Sequence, residues 1–479
     1  MPVILIAILM ALAPAEAGLT PSSTAALQSG FDGEFTGETM RLELYQVGDA
    51  RDELVTLHQV YRDGPWGGPR SPLADPFGYG RYAVTLLDAA TRRPIYWRGF
   101  DTMFGEYRTT GPALEGKKRV FERAVRVPWP RRPVILEVGR RDTKNVLHTI
   151  LSTAIDPADY HLIKETPNAG DWVYEAVRNG APQDKVDLVF VAEGYTAADR
   201  EKFKADVDRV AGWLFSYEPY RRLQAGFNVS GVLRPSPEQA MDEPRQGVFK
   251  KTVLNASFNA FDTDRYMLVE ENHRVREIAA QVPYDTIVIL VNSARYGGGG
   301  IYDDYCVTTV DHPRSKAVFI HEFGHSFAGL ADEYYASDVA YNDFYPKGVE
   351  PLEPNITALL DPSGVKWKEQ VTPGVPIPTP YGKEEREALQ AERRKAQQAG
   401  DEAAVKSLAA RLEDLDARFA AVRDVVGAFE GAGYASKGLY RPAWHCLMIS
   451  SPKDEFCPVC QGAIERMIRY YTGGAAAEK

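Results

Sequence analysis

At 479 residues, with 44% hydrophobic and 25% charged side chains, the chain has a globular composition and enough apolar surface for more than one core. Its formal net charge of -10 gives no electrostatic reason to expect nucleic acid as a partner, and that class is set aside. Length alone suggests about two to three domains.

Residues 1–17 combine an apolar run, 2–14, with the small-x-small tripeptide Ala15-Glu16-Ala17 that a signal peptidase accepts. The run is too short to span a bilayer, and no later segment is long and apolar enough to do so. The expectation is export with cleavage after Ala17, giving a secreted or periplasmic protein with no stable membrane span. Only the terminal amine supplies positive charge ahead of the run, so an uncleaved anchor or a disordered tail is the alternative.

Residues 18–160 are expected to form an N-terminal β-sandwich. Short alternating runs at 40–45, 81–87, 118–127 and 134–138 are separated by Gly, Pro and Asp clusters. The Trp and Tyr residues there read as core, and no chemistry is visible. From 165 to 475 strands alternate with helices, which predicts an α/β domain with a buried sheet. Its strand runs include 186–191, 227–233 and 286–291. The four glycines of 297–300 lack the Lys-Ser/Thr of a phosphate loop and the spacing of a dinucleotide fingerprint, so they are read as a flexible loop or bulge.

The strongest signal is HEFGHSFAGLADEYY at 321–335. On a helix, residues four apart share a face, so His321 and His325 can present two imidazole nitrogens to one zinc ion. Glu322 lies beside them, where its carboxylate can reach an activated water and serve as general base and then acid. A catalytic zinc needs a third protein ligand. Asp332, seven residues after His325, is the choice; the spacing through Gly329 is one residue longer than the metzincin pattern. Glu333 is its close rival, and a distant Glu on a later helix is a third possibility. Tyr334 and Tyr335 could assist an oxyanion but read more readily as packing residues.

Residues 383–425 read as a helical hairpin inserted in the catalytic domain. Val405, Leu408, Leu412, Leu415, Phe419 and Val422 form a heptad stripe, and Gly400 separates them from a preceding helix. A gating arm or a dimer contact is conceivable; a passive hairpin is the plainer reading. Three of four cysteines follow, Cys446, Cys457 and Cys460, with Cys306 far upstream. In an exported chain the even count favours disulfides, and a structural zinc site with His445 is the alternative. Met448 stands where a metzincin Met-turn would pass beneath zinc, or is an ordinary core methionine.

With these residues in view, the chain resembles the IgA-peptidase-type metallopeptidases. The resemblance rests on DLVFVAEGY at 187–195, the Gly-rich stretch 296–306, 321–335, FEGAGY at 429–434 leading to YRP at 440–442, and CLM at 446–448 before FCPVC at 456–460. It covers about 165–470, and a β-rich N-terminal domain is also typical of the family. The resemblance implies a metzincin-like zinc endopeptidase acting on protein or peptide substrates. It implies His321 and His325 as ligands of one catalytic zinc and Glu322 as catalytic acid and base, without identifying immunoglobulin A as the substrate. Two competitors are a secreted binding protein with a structural or degenerate zinc site, and a zinc amidase acting on peptidoglycan. The intact Glu322 argues against the first, and HExxH on one helix against the second.

Overall fold

The computed structural model describes residues 30–335, 344–449 and 454–474. The expected leader at 1–17 lies outside them. Among the described residues, no helix is long and apolar enough to cross a membrane.

The N-terminal part consists of two antiparallel sheets. One has the order β2-β1-β5, formed by β1 (Phe35–Gly48), β2 (Glu53–Pro65) and β5 (Arg119–Pro130). The other has the order β4-β3-β6-β7, formed by β3 (Tyr82–Asp88), β4 (Pro94–Phe100), β6 (Val134–Arg141) and β7 (Leu147–Ile155). Side chains alternate across a strand, so Met40, Leu42 and Leu44 of β1 share one core with Val84 and Leu86 of β3 and Leu136 and Val138 of β6.

The second part is built on a six-stranded sheet of order β12-β13-β11-β9-β10-β8. Its strands are β8 (Trp172–Val177), β9 (Val186–Glu193), β10 (Phe227–Leu233), β11 (Thr286–Val291), β12 (Gly298–Ile301) and β13 (Tyr305–Thr309). The four inner strands are parallel and the two edge strands antiparallel. Every residue of β9 and β11 is buried, because both faces of the sheet are covered. Leu188, Phe190 and Ala192 face a layer made by helices α1 (Arg200–Leu214), α3 (Ser315–Ala328) and α6 (Pro458–Tyr471). Val189 and Val191 face α2 (Asn272–Ala279) on the other side.

The glycine run is not a loop. Gly298 and Gly300 lie in edge strand β12, which rests directly on α3. A Cβ at Gly300 would come within 2.2 Å of the Glu322 carbonyl oxygen, and one at Gly298 within 2.6 Å of Val318. The glycines are there because strand and helix approach too closely for any side chain.

Helices α4 (Lys383–Gln398) and α5 (Glu402–Arg418) follow, joined through Gly400 at φ 70° and packed through Leu389, Leu408 and Leu415. A two-stranded ribbon, β14 (Phe429–Ala432) and β15 (Ala435–Arg441), returns the chain to the site. The two parts of the molecule are tied by buried charge. Arg98 of β4 reaches Asp303 at 2.6 Å and Arg123 of β5 reaches Asp304 at 2.7 Å, in the turn joining β12 to β13.

Candidate metal centre

Helix α3 turns three phenylalanines, Phe319, Phe323 and Phe327, into the core at intervals of four residues. His321 is two positions, or about 200°, round the helix from Phe319, so His321 and His325 face the opposite way. They open onto a cleft of about 560 Å³. Gly329 ends the helix in the left-handed conformation at φ 62°, donating to the His325 carbonyl at 3.1 Å, and Leu330 N–H caps Gly324 at 3.2 Å. The chain therefore doubles back and brings Asp332 to the two rings.

Three atoms converge. The Asp332 Oδ1 lies 3.0 Å from His321 Nε2 and 3.4 Å from His325 Nε2, and the two Nε2 atoms are 3.1 Å apart. Ligands about 2.0–2.1 Å from a tetrahedral ion stand about 3.3 Å from one another, so the triangle has the size such an ion requires. The other ring nitrogens fix the orientation: His321 Nδ1 donates to the Leu447 carbonyl at 3.2 Å and His325 Nδ1 to the Leu330 carbonyl at 2.6 Å. With the proton on Nδ1 in each ring, both Nε2 lone pairs point at the same spot, an arrangement that repels itself unless a cation lies between. Asp332 Oδ1 is buried without a hydrogen-bond partner, aimed at that spot.

The carboxylates draw positive charge to this spot. Burial would raise the Asp332 carboxyl, but the His325 and His321 rings override it and hold it well below the ordinary range. Burial would lower His325, yet Asp332 and Glu322 push it up to about 9, so a metal ion binding there must displace a proton from this ring. Burial also raises the Glu322 carboxyl, with His321 and His325 partly opposing. The imidazoles keep 16% and 17% of their surface open to the cleft, whereas Asp332 is sealed behind them.

The rival to Asp332 faces elsewhere, and one sequence expectation is corrected. Glu333 lies away from the two rings: its N–H donates to the Met448 carbonyl at 3.0 Å, and its Oε1 accepts from Asn355 and Cys460. All four cysteines are buried free thiols, and Cys306 lies apart in β13, so the even count does not translate into disulfides. Met448 is buried beside the helix, where a Cβ at Gly324, between the two histidines, would meet its sulfur at 3.3 Å.

Several contributors carry little signal in a linear reading. Tyr434, in the turn between β14 and β15 at φ 65°, donates its hydroxyl to Asp332 Oδ2. Backbone bonds from Gly433 to the Asp332 carbonyl, 3.0 Å, and from Tyr434 to the Tyr334 carbonyl, 3.1 Å, hold that turn in place. The Tyr334 ring lies nearly parallel to His321, with centroids 6.4 Å apart. Arg81, Asp101 and Glu106 of the N-terminal part form one wall of the cleft. The linear reading named Tyr334 as a possible oxyanion helper, and Tyr434 only within the FEGAGY motif with no task assigned.

Residues 175–468 match the family profile described as IgA Peptidase M64, and residues 30–152 match that described as Peptidase M64 N-terminus. No curated protein matches the chain.

Proposed function

The chain belongs to the IgA peptidase M64 family and is a metallopeptidase, and from that premise we propose that it is a zinc-dependent endopeptidase of extracellular or periplasmic proteins. The observation that carries this reading is the convergence of His321 Nε2, His325 Nε2 and Asp332 Oδ1, each held from behind, on one point in an open cleft. Three neutral or anionic nitrogen and oxygen donors with one side free is the donor set of a catalytic rather than a structural zinc. A zinc ion held there supplies Lewis acidity, polarising the scissile carbonyl and acidifying water.

The chain's own residues do the rest. Glu322 takes a proton from the attacking water on its carboxylate and returns it to the departing amine nitrogen. Its raised affinity for a proton suits a group that must hold one between the two steps. The left-handed turn at Gly329, Asp332 beyond it and Met448 beneath the helix support the metzincin-like reading. The leader-like segment 1–17 supports export. The family's name refers to immunoglobulin A; for this chain the proposed substrate class is exported proteins in general.

The test is a pair of variants of the full chain. Glu322→Gln is expected to keep the ion and lose cleavage of a broad protein mixture by about 10²–10⁴-fold. Asp332→Ala is expected to need far more added zinc to show any cleavage. A Glu322→Gln enzyme that cuts like the wild type removes the base from the mechanism, and an unshifted zinc requirement in Asp332→Ala removes the third ligand. A zinc-loaded wild type that cuts no protein returns the chain to the binding-protein or amidase readings.

A further inference from the structure

Behind Asp332 lies a second group of ligand-type side chains. One atom each from Glu333, Cys446, Cys457 and Cys460 lies within 4.8 Å of the others, all buried in the main core. The Cys446 and Cys460 sulfurs are 3.7 Å apart. That is far beyond the roughly 2.05 Å of a disulfide, and close to the roughly 3.8 Å between two sulfurs sharing a tetrahedral ion at about 2.3 Å. The Cys457 N–H donates to Cys446 Sγ at 3.3 Å, as amides do to thiolates. Cys457 is the N-cap of α6 and Cys460 sits in its first turn, where the helix dipole favours negative sulfur. Glu333 Oε1 is 3.1 Å from Cys460 Sγ and accepts from Asn355 at 2.9 Å, which leaves Oε2 fully buried without a partner.

A disulfide among these cysteines joins two sulfurs and strands the third beside a buried carboxylate. A cation satisfies all four. We propose that Cys446, Cys457, Cys460 and Glu333 hold a second, structural zinc ion, separate from the one at His321, His325 and Asp332. The soft thiolate set selects zinc over calcium or magnesium, and all four ligand residues are buried among the described residues, as in a structural rather than a catalytic site. On binding, the coordinating thiols release their protons to solvent. The ion fastens the chain from which the other centre is built. Cys446 precedes Leu447, whose carbonyl orients His321, and Glu333 follows Asp332 directly. This second ion stands whether or not the first is catalytic.

The full-length wild type and His325→Ala are purified without chelator. Zinc per chain is counted, the metal is exchanged for cobalt, and the near-ultraviolet thiolate-to-cobalt absorption is recorded. Expected are two zinc ions in the wild type, one in His325→Ala, and the thiolate band at equal strength in both, since the first centre has no sulfur. Cys457→Ser is expected to lose the band. Should that variant fail to fold, peptide mapping of the unreduced wild type decides, with Cys446, Cys457 and Cys460 all recovered as thiols. A wild type with no thiolate band, or with a disulfide among these three cysteines, overturns the proposal.

Discussion

On the cleft side of the peptide bond between Asp332 and Glu333, two imidazoles and a carboxylate face an opening lined by both parts of the molecule. On the other side, three sulfurs and a carboxylate face one another inside the core, with nothing open. The clusters share a stretch of backbone and differ in donor type, exposure and closure. The comparison teaches how one short segment can serve two tasks: beyond the helix end the chain delivers adjacent carboxylates to unlike environments, Asp332 to the imidazoles and Glu333 to the sulfurs. It also shows where rigidity comes from, since the open cluster is braced through groups that belong to, or adjoin, the closed one.

Three substitutions probe that division. Tyr434→Phe keeps the ring and removes the hydroxyl that holds Asp332 Oδ2. The zinc affinity of the open site, read from cleavage in metal-buffered solution, is expected to weaken by about 10–100-fold. An unchanged affinity would mean that Asp332 is not held from behind. Asn355→Ala acts on the closed side. The Asn355 amide bridges Ala331, accepting at 2.8 Å and donating at 2.9 Å, and also donates to Glu333. Its loss leaves buried groups unpaired and is expected to cost about 1–3 kcal/mol in urea unfolding, with a smaller change in zinc affinity than in Tyr434→Phe. The reverse order would show that the two sides are not distinct.

The smallest effect belongs to a partly exposed ion pair on α6. The hydrogen bond from Arg222, with help from Arg469 and against partial burial, pulls the Glu465 carboxyl down from 4.5 to about 2. A depressed folded value stabilises above the unfolded one and is lost as pH falls toward the folded one. Arg222→Ala is therefore expected to lose under about 1 kcal/mol at pH 7. The difference from wild type in urea midpoint should shrink as pH drops below 4.5. A gap that widens on acidification would show that Arg222 acts through some other partner.

Much of this was legible in the chain. The runs 186–191 and 286–291 announce strands buried on both faces because they are apolar without alternation. The phenylalanines spaced by four and the histidines spaced by four specify the two faces of α3. What was not legible has physical causes. A strand of glycines carries no inside-outside pattern, so β12 looked like a loop. Asp332 and Glu333 lie in irregular backbone beyond a helix end, where no period tells which carboxylate turns which way. Cysteine pairing depends on distance in space, and Cys306 is carried off by the sheet. Tyr434 meets Asp332 from 102 residues away.

The clamp between the N-terminal sheets and the β12–β13 turn bears on how firmly one wall of the cleft is held. Asp303 and Asp304 are adjacent carboxylates, and Asp304 is buried between Arg123 and Arg276. A buried carboxylate stripped of its partner costs about 3–5 kcal/mol. The strand that lies against Glu322 leads straight into this turn, and Arg123 of the N-terminal sheets supplies one of the two guanidiniums that neutralise Asp304 there. A chain without the N-terminal sheets would lose Arg98 and Arg123 and keep only Arg276 beside these carboxylates, so the strand flanking Glu322 is expected to be held less firmly in it.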